Sequence, residues 1–589
     1  MTRIFDDPAQ FTDNMLDGFA RLHAGYVTRV PGGVVRVTGR PGKVAIIVGG
    51  GSGHYPAFCG IVGPGFADAA VVGNVFTSPS AADAASVARA ADSRAGVLLM
   101  TGNYAGDVMN FTLAADTLRA EGIDARYLVV TDDIASAPAA EMTRRRGIAG
   151  GFTVFKAAAA AAAEGCTLDG VEQAARRAND RTRTLGVGFD GCTLPGAAAP
   201  LFSVPGGLMG VGLGIHGEPG IAEEPLPAAA ELAALLVTTV TAERPTGADE
   251  RVAAILNGLG RTKYEEMFVL WAHIARLLDE AGLQVVEPVV GELVTSLDMA
   301  GCSLTLTWLD DELERFWRAP ADTPAYKKGS LVAGEEERLR QHGAAPSAAD
   351  SSAAGSRPLT DLERACADNT VQAIRAIAAA MTGAEAALGA LDAVAGDGDH
   401  GRGMVRGSQA ALHAAEAAQA RDADCGEILT AAGRSWAAQA GGTSGVLWGA
   451  GLEALGGRVS GLPVITPDEL CAGMRDAYAA IARLGHAERG DKTMLDALGP
   501  FNDVLESGTS RRQPLAEAWD SAAASASRAA EQTASLRPKV GRARPLAERS
   551  IGTPDPGATS LAICLEAVRK VLGPRQGDGE AGVRHVSRH

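Results

Sequence analysis

The sequence predicts an α/β half followed by an all-helical half. Three observations predict it. Before residue 318, apolar runs of strand length alternate with helix-length stretches. Residues 336–358, "EERLRQHGAAPSAADSSAAGSRP", are polar, rich in Ala, Ser, Gly and Pro, and read as a linker. From 359 to 572 the chain is alanine-rich with a 3.6-residue apolar period and few strand-like runs. At 589 residues it is also too long for one hydrophobic core, so at least two domains are expected.

The elements follow in order. "KVAIIVGG" (43–50), "GVLLMTG" (96–102) and "ARYLVVTDD" (125–133) are short and continuously apolar, as buried strands are. Helical stretches at 79–92 and 107–122 separate them. A second αβ pattern runs through 226–240, 250–260, 263–282 and 303–317. After the linker, 361–381, 403–419 and 513–533 carry the clearest helical period. The tail 574–589 reads as disordered.

Composition narrows the function. The net charge of −16 argues against a nucleic-acid surface and gives no reason to expect binding to an anionic membrane. Eight scattered cysteines without a C-x-x-C pair read as free thiols in a reducing cytoplasm. The N-terminus lacks a signal-peptide core, and no apolar run reads as long enough to cross a bilayer.

Two groups of motifs carry chemistry. In the helical half, "LDAVAGDGDHGRGM" (391–404) sets Asp392, Asp397 and Asp399 within eight residues. Carboxylates this close repel one another unless a cation neutralises them, and a cluster of hard oxygens suits Mg²⁺. An EF-hand loop is excluded because its twelfth position, counted from Asp397, is Ser408; a solvated acidic turn is the alternative. "GGTSG" (441–445) and "DPGATS" (555–560) each open a helix and offer backbone N–H groups to an anion, or serve only as N-caps. No G-x-x-x-x-G-K-[ST] loop is present. In "RGDKTMLDAL" (489–498), Lys492 fits a structural ion pair as readily as a phosphate ligand.

In the α/β half, "VGGGSGHYP" (48–56) follows a strand. It is a poor dinucleotide fingerprint, because Tyr55-Pro56 breaks the expected helix. Its glycines are read as allowing close approach to a small ligand beside His54, or as a tight turn. "TGNYAGDVMNF" (101–111) puts Asp107 at a helix start, as a cap or as a general base at the strand ends. "GLGIHGEPG" (212–220) is read as exposing His216 on a stretch that glycine keeps bare.

Seven segments in register, "GGGSGHYPAFCG", "GNVFTSPS", "NYAGDVMNF", "GIHGEPG", "GDGDHG", "GDKTMLDAL" and "DPGATS", resemble the single-chain, ATP-dependent dihydroxyacetone kinases, and more narrowly the erythrulose kinases. The resemblance covers residues 1 to about 572. It implies a two-lobed α/β ketose-binding domain over 1–335 and an all-α eight-helix barrel binding nucleotide over 359–573. It implies a homodimer whose active site is shared between chains, with ATP and Mg²⁺ as cofactors. It implies that His216 binds the ketone covalently as a hemiaminal. The turn Gly51-Ser52-Gly53-His54 holds ketose hydroxyls, and Asp107 with His54 activates the attacking hydroxyl. Asp392, Asp397 and Asp399 match magnesium ligands. His400, Gly401, Arg402, Gly403, Thr443, Ser444, Gly485, Met494, Arg542, Asp555, Pro556 and Gly557 match nucleotide contacts. An imidazole adding to a ketone also selects, because glycerol has no carbonyl.

Two positions depart from the usual pattern. Gly102 stands where the family has a lysine, and Gly210 where it has a glutamate. If both line the pocket, it becomes larger and less polar, which favours erythrulose over dihydroxyacetone. The rivals are a phosphotransferase-dependent kinase that keeps ADP as a fixed cofactor, a ketose sensor without turnover, and a nicotinamide dehydrogenase.

Overall fold

The computed structural model describes residues 2–330, the backbone of 337–338, and residues 359–396, 398–462, 464–541, 544 and 547–572. The chain divides into two compact units, one over Met1–Ala353 with Gly441–Thr443 and one over Ala354–Ala440 and Ser444–His589.

The first unit holds two large sheets. One has six strands in the order Val27–Val30, Gly33–Arg36, Ala69–Val75, Ala45–Ser52, Val97–Gly102 and Ala125–Val130. Its last four strands are parallel, with Ile47 opposite Ala69 and Leu99, and Leu99 opposite Tyr127. The hairpin at Val27–Arg36 joins antiparallel at one edge. All three strands expected here are present, and the helices at 79–92 and 107–122 form as Ala81–Ala91 and Ala105–Ala120. Ala69–Val75, which the alternation did not mark, is the fourth parallel strand.

The second sheet has seven strands: Ala222–Pro225, Leu208–Val211, Thr182–Asp190, Ala300–Trp308, Arg251–Gly258 and Gln284–Val285 in order, with Val289–Gly291 also on Arg251–Gly258. Ala300–Trp308 runs antiparallel to both neighbours. Between the two sheets the chain passes through Asp132 and Asp133, where Thr184 donates its N–H to the Asp132 carbonyl (2.8 Å).

The helix Gly151–Ala163, "GFTVFKAAAAAAA", is buried on every side except at its last residue. A helix that is apolar all round belongs inside, and its alanines let neighbouring elements approach closely. It packs on the helices Leu168–Asp180 and Asp311–Arg318 and on the strand Ala45–Ser52.

The second unit is helical throughout its described residues: Asp361–Asp392, His400–Gln419, Cys425–Ala440, Gly442–Val459, Pro467–Gly485, Leu495–Ser510, Leu515–Gln532, the short Ala547–Ser550, and Pro556–Leu572. Two starts are reciprocal capping boxes, Thr360 with Glu363 and Thr466 with Glu469. The core stacks Trp436 on Trp448 (4.8 Å, 8°) and sets Phe501 edge-on to Trp519.

One expectation needs correction here. Asp361–Asp392 is long and apolar enough to cross a membrane by length and composition. Its alanine content raises the average, while Val371, Ile374, Met381 and Leu388 are buried in the helical core. Most of the expected linker and the whole tail lie outside the described residues. Within the linker, Glu337–Arg338 pairs antiparallel with Thr38–Gly39.

Candidate active site

The parallel strands end in a recess within the first unit, lined in part by Gly51, His54, Gly102, Tyr104, Asp107 and His216. Ligands bind at the carboxyl ends of parallel strands because loops open there and helix N-termini point inward. Ser52 and Gly53 are not among the lining residues. The Ser52 hydroxyl is bonded to Thr12 (3.0 Å), and Gly53, at φ +99°, makes room for the Phe76 ring.

The glycine-run reading also changes. A Cβ on Gly49, Gly50 or Gly51 would lie within 2.7 Å of Phe111, Phe58 or the Thr77 backbone respectively. The run therefore admits aromatic rings and the next loop, besides bordering the recess.

His216 is not exposed but buried, at 8%. Its ring meets Tyr104 edge-on at 4.7 Å and Phe76 at 5.3 Å. The flanking glycines are needed for packing: a Cβ on Gly217 would strike Phe202, and one on Gly214 would lie 2.0 Å from Glu218 Oε2. Glu218 folds back on His216, accepting the backbone N–H at 3.0 Å and facing Nδ1 at 2.9 Å. His54 Nδ1 faces the Thr295 carbonyl at 2.7 Å. The two Nε2 atoms are 3.0 Å apart. Burial, with His216 beside it, pushes the His54 ring down to about 3.

Behind Glu218 stands Arg146, 3.9 Å from its carboxylate and bound to Asp133 at 2.8 Å. Burial pushes the Asp133 carboxyl up to about 6 even against Arg146. Glu218, Arg146, Asp133, Thr295 and Tyr104 had no assigned role in the sequence. Glu218 sits two residues from His216 inside a motif and could have been found. Arg146, in "TRRRG", looks like an ordinary solvated charge run.

Asp107 is buried in the first turn of the helix Ala105–Ala120. It is not the cap, since Tyr104 occupies that position. The two departures differ. Gly102 borders the recess, but a Cβ there would lie 2.7 Å from the Tyr104 ring, whose hydroxyl donates to the Gly147 carbonyl (3.0 Å). Gly210 is not among the lining residues, and its Cβ would meet Leu213 at 2.4 Å. The expected enlargement is corrected: Tyr104 stands against Gly102, and Gly210 leaves its space to Leu213.

In the helical unit, His400 lies 3.2 Å from the Ser444 hydroxyl and 3.0 Å from that of Ser560. It thus joins the starts of the two helices that "GGTSG" and "DPGATS" open. Asp555 caps Pro556–Leu572 by accepting from the Ala558 N–H (2.7 Å), with Pro556 and Gly557 as the first helical residues. Gly557 lies beside Met494, which precedes Leu495–Ser510. Gly401 lets its helix approach the Glu385 carbonyl, Arg402 and Gly403 follow in the same first turn, Thr443 lies in the first turn of Gly442–Val459, and Gly485 ends Pro467–Gly485. Lys492 donates to the Ser550 carbonyl (2.6 Å). Asp397 and Arg542 lie outside the described residues.

Among the described residues no three His, Cys, Asp or Glu side chains are grouped to hold a metal ion. The donor chemistry nevertheless fits a divalent cation. Burial and the neighbouring Asp392 raise Asp399, and burial pushes Asp555 up to about 7 with Asp496 and Asp392 adding to it. Half-buried carboxylates that repel one another are what such a cation relieves.

The Dak1 domain family matches residues 17–325 and the DAK2 domain family residues 394–570. The chain is 61% identical over 570 residues to the D-erythrulose kinase of Mycolicibacterium smegmatis, covering 96% of this chain and 98% of that one. It is 52% identical over 577 residues to the L-erythrulose kinase of Pectobacterium atrosepticum, covering 97% of each. The crystal structure of the dihydroxyacetone kinase from C. freundii with AMP-PNP and Mg²⁺ matches with a TM-score of 0.51 and 29% identity, over 97% of this chain and 99% of that one. The chain therefore belongs to the single-chain dihydroxyacetone kinase family, with a Dak1 and a DAK2 domain in one polypeptide, and is a sugar kinase.

Proposed function

We propose that the protein transfers the γ-phosphoryl group of ATP to a hydroxyl of a short-chain ketose, erythrulose before dihydroxyacetone, while His216 holds the ketose as a hemiaminal. The observation that carries this reading is the 3.0 Å contact between the Nε2 atoms of His54 and His216. Glu218 faces His216 Nδ1, so that ring keeps its hydrogen there and turns its Nε2 lone pair toward His54.

When a ketone enters, His216 Nε2 adds to the carbonyl carbon, and the carbonyl oxygen takes up a proton from solvent. A C–N bond forms, and the C=O π pair ends as O–H. Glu218 offsets the positive charge of the substituted ring. Asp107, on the same recess, takes the proton of the hydroxyl that attacks phosphorus. The adduct itself stays intact and fixes where that hydroxyl points.

On the helical unit, Asp392, Asp397 and Asp399 would hold Mg²⁺, which neutralises charge on the phosphates when bound. The residues from His400 to Gly403, with Thr443, Ser444, Gly485, Met494, Arg542 and Asp555 to Gly557, would hold the nucleotide. We assign the eight-helix barrel to this unit, a homodimer with a shared active site to the assembly, and the cytoplasm as its location.

Erythrulose is preferred because the two relatives above are erythrulose kinases, named for opposite enantiomers. Steady-state assays with ATP on dihydroxyacetone, D-erythrulose and L-erythrulose, with products identified by NMR, test the reading. A tenfold or greater preference for dihydroxyacetone would overturn the tetrose assignment.

A further inference from the structure

We infer that Arg146, clamped by Asp133, is the positioning residue that fixes Glu218 on His216, so that the imidazole keeps its hydrogen on Nδ1 and presents Nε2 to the ketose. The inference rests on the proposed role of His216.

Gly217, at φ +83°, turns the chain so that Glu218 folds back onto the residue two before it. Both carboxylate oxygens are then committed to His216, one to its backbone N–H and one to Nδ1. A carboxylate in that position needs a fixed counter-charge to keep its aim, and Arg146 Nη1 stands 3.9 Å away. Arg146 cannot swing off. Its Nε and Nη2 bind Asp133 Oδ2 at 2.9 and 2.8 Å, and Nη2 also donates to the Gly212 carbonyl at 3.3 Å. Its backbone N–H donates to Ser136 Oγ at 2.9 Å. Asp133 is anchored in turn, accepting the Ala135 N–H at 3.1 Å. Gly214 keeps the meeting place open, since a Cβ there would lie 2.8 Å from Arg146 Nη1 as well as against Glu218. The order Asp133, Arg146, Glu218, His216 is one continuous chain of alternating charge ending on the imidazole. A planar guanidinium can grip one carboxylate side-on and still face a second, which an ammonium does less well.

The test uses the full chain carrying Arg146→Lys, Arg146→Met, and the double change Asp133→Asn/Arg146→Met, which removes the orphaned buried carboxylate that could unfold the single variant. With ATP and erythrulose, Arg146→Met and the double variant should raise KM by about 10²-fold with kcat little changed, because capture is lost rather than chemistry. Arg146→Lys should recover part of the loss. Ring ¹⁵N NMR of histidine-labelled protein, with the His216 signals assigned by their absence in His216→Ala, gives a readout independent of turnover. Nδ1 should be of the protonated type in the parent and move toward a tautomer average in the double variant. An unchanged His216 spectrum there, or equal loss in kcat and kcat/KM without rescue by Lys, overturns the inference. If the parent phosphorylates no ketose, the kinase reading of the recess fails, and the NMR arm still decides the role of Arg146.

Discussion

His54 and His216, 162 residues apart in the chain, face each other Nε2 to Nε2 at 3.0 Å. Neither ring can turn the contact aside, because Thr295 holds one and Glu218 the other by Nδ1. On the proposed reading, His216 is the nucleophile that captures the ketose, and this contact aims its Nε2.

Replacing His216 with alanine should therefore cost ketose capture more than chemistry on bound sugar. We expect kcat/KM to fall by about 10²-fold or more, carried mainly by KM. Calorimetry without ATP should show ketose binding lost in parallel. Binding at parental strength would rule out the covalent role.

Asp107→Asn should act on the other parameter. It keeps the shape of the first turn of Ala105–Ala120 but removes the proposed base, so kcat should drop by ~10²–10⁴ with KM little altered. Steady-state kinetics on both constants separates the two variants. A change confined to KM would make Asp107 a binding residue only.

Lys156 offers a test of stability against pH. It is fully buried, its Nζ has no hydrogen-bond partner among the described residues, and burial with Lys328 nearby pushes it down to about 7. Its folded value lies below the ordinary one near 10.5, so the unfolded chain binds more protons between the two. Stability then falls as the pH drops from about 10.5 to about 7. Lys156→Met should stabilise the first unit at pH 7 by on the order of 3 kcal/mol, with the gain shrinking toward pH 10. Thermal unfolding of parent and variant across that range measures it. A gain that does not depend on pH would mean the ammonium is satisfied.

Divalent cations should govern nucleotide binding. Chelation, or Asp399→Asn in the presence of Mg²⁺, should weaken AMP-PNP binding measured by calorimetry while leaving ketose binding to the first unit intact. Unchanged nucleotide affinity would remove the acidic loop from the site.

Much was legible in the chain alone. The strands Ala45–Ser52, Val97–Gly102 and Ala125–Val130 are apolar runs bounded by glycine, polar residues or loops, and their burial on both faces leaves that pattern. Ala69–Val75 and Thr182–Asp190 escaped notice because Ala, Gly, Thr and Arg dilute the apolar signal while neighbours on both sides bury them. The helices of the second unit follow from alanine and period.

The sequence by itself determined the order of elements, the two kinds of half, and the motifs on which His54, Asp107, His216 and the acidic loop stand. Only the tertiary structure decided which glycines make room for rings, that His216 is buried, that Tyr104 stands against Gly102, and that Arg146 and Asp133 stand behind Glu218. The reason is distance along the chain. Patterns of burial and turning are local and are written in neighbouring residues. Contacts between Arg146 and Glu218, or His54 and His216, are made by folding segments together that share no local signal.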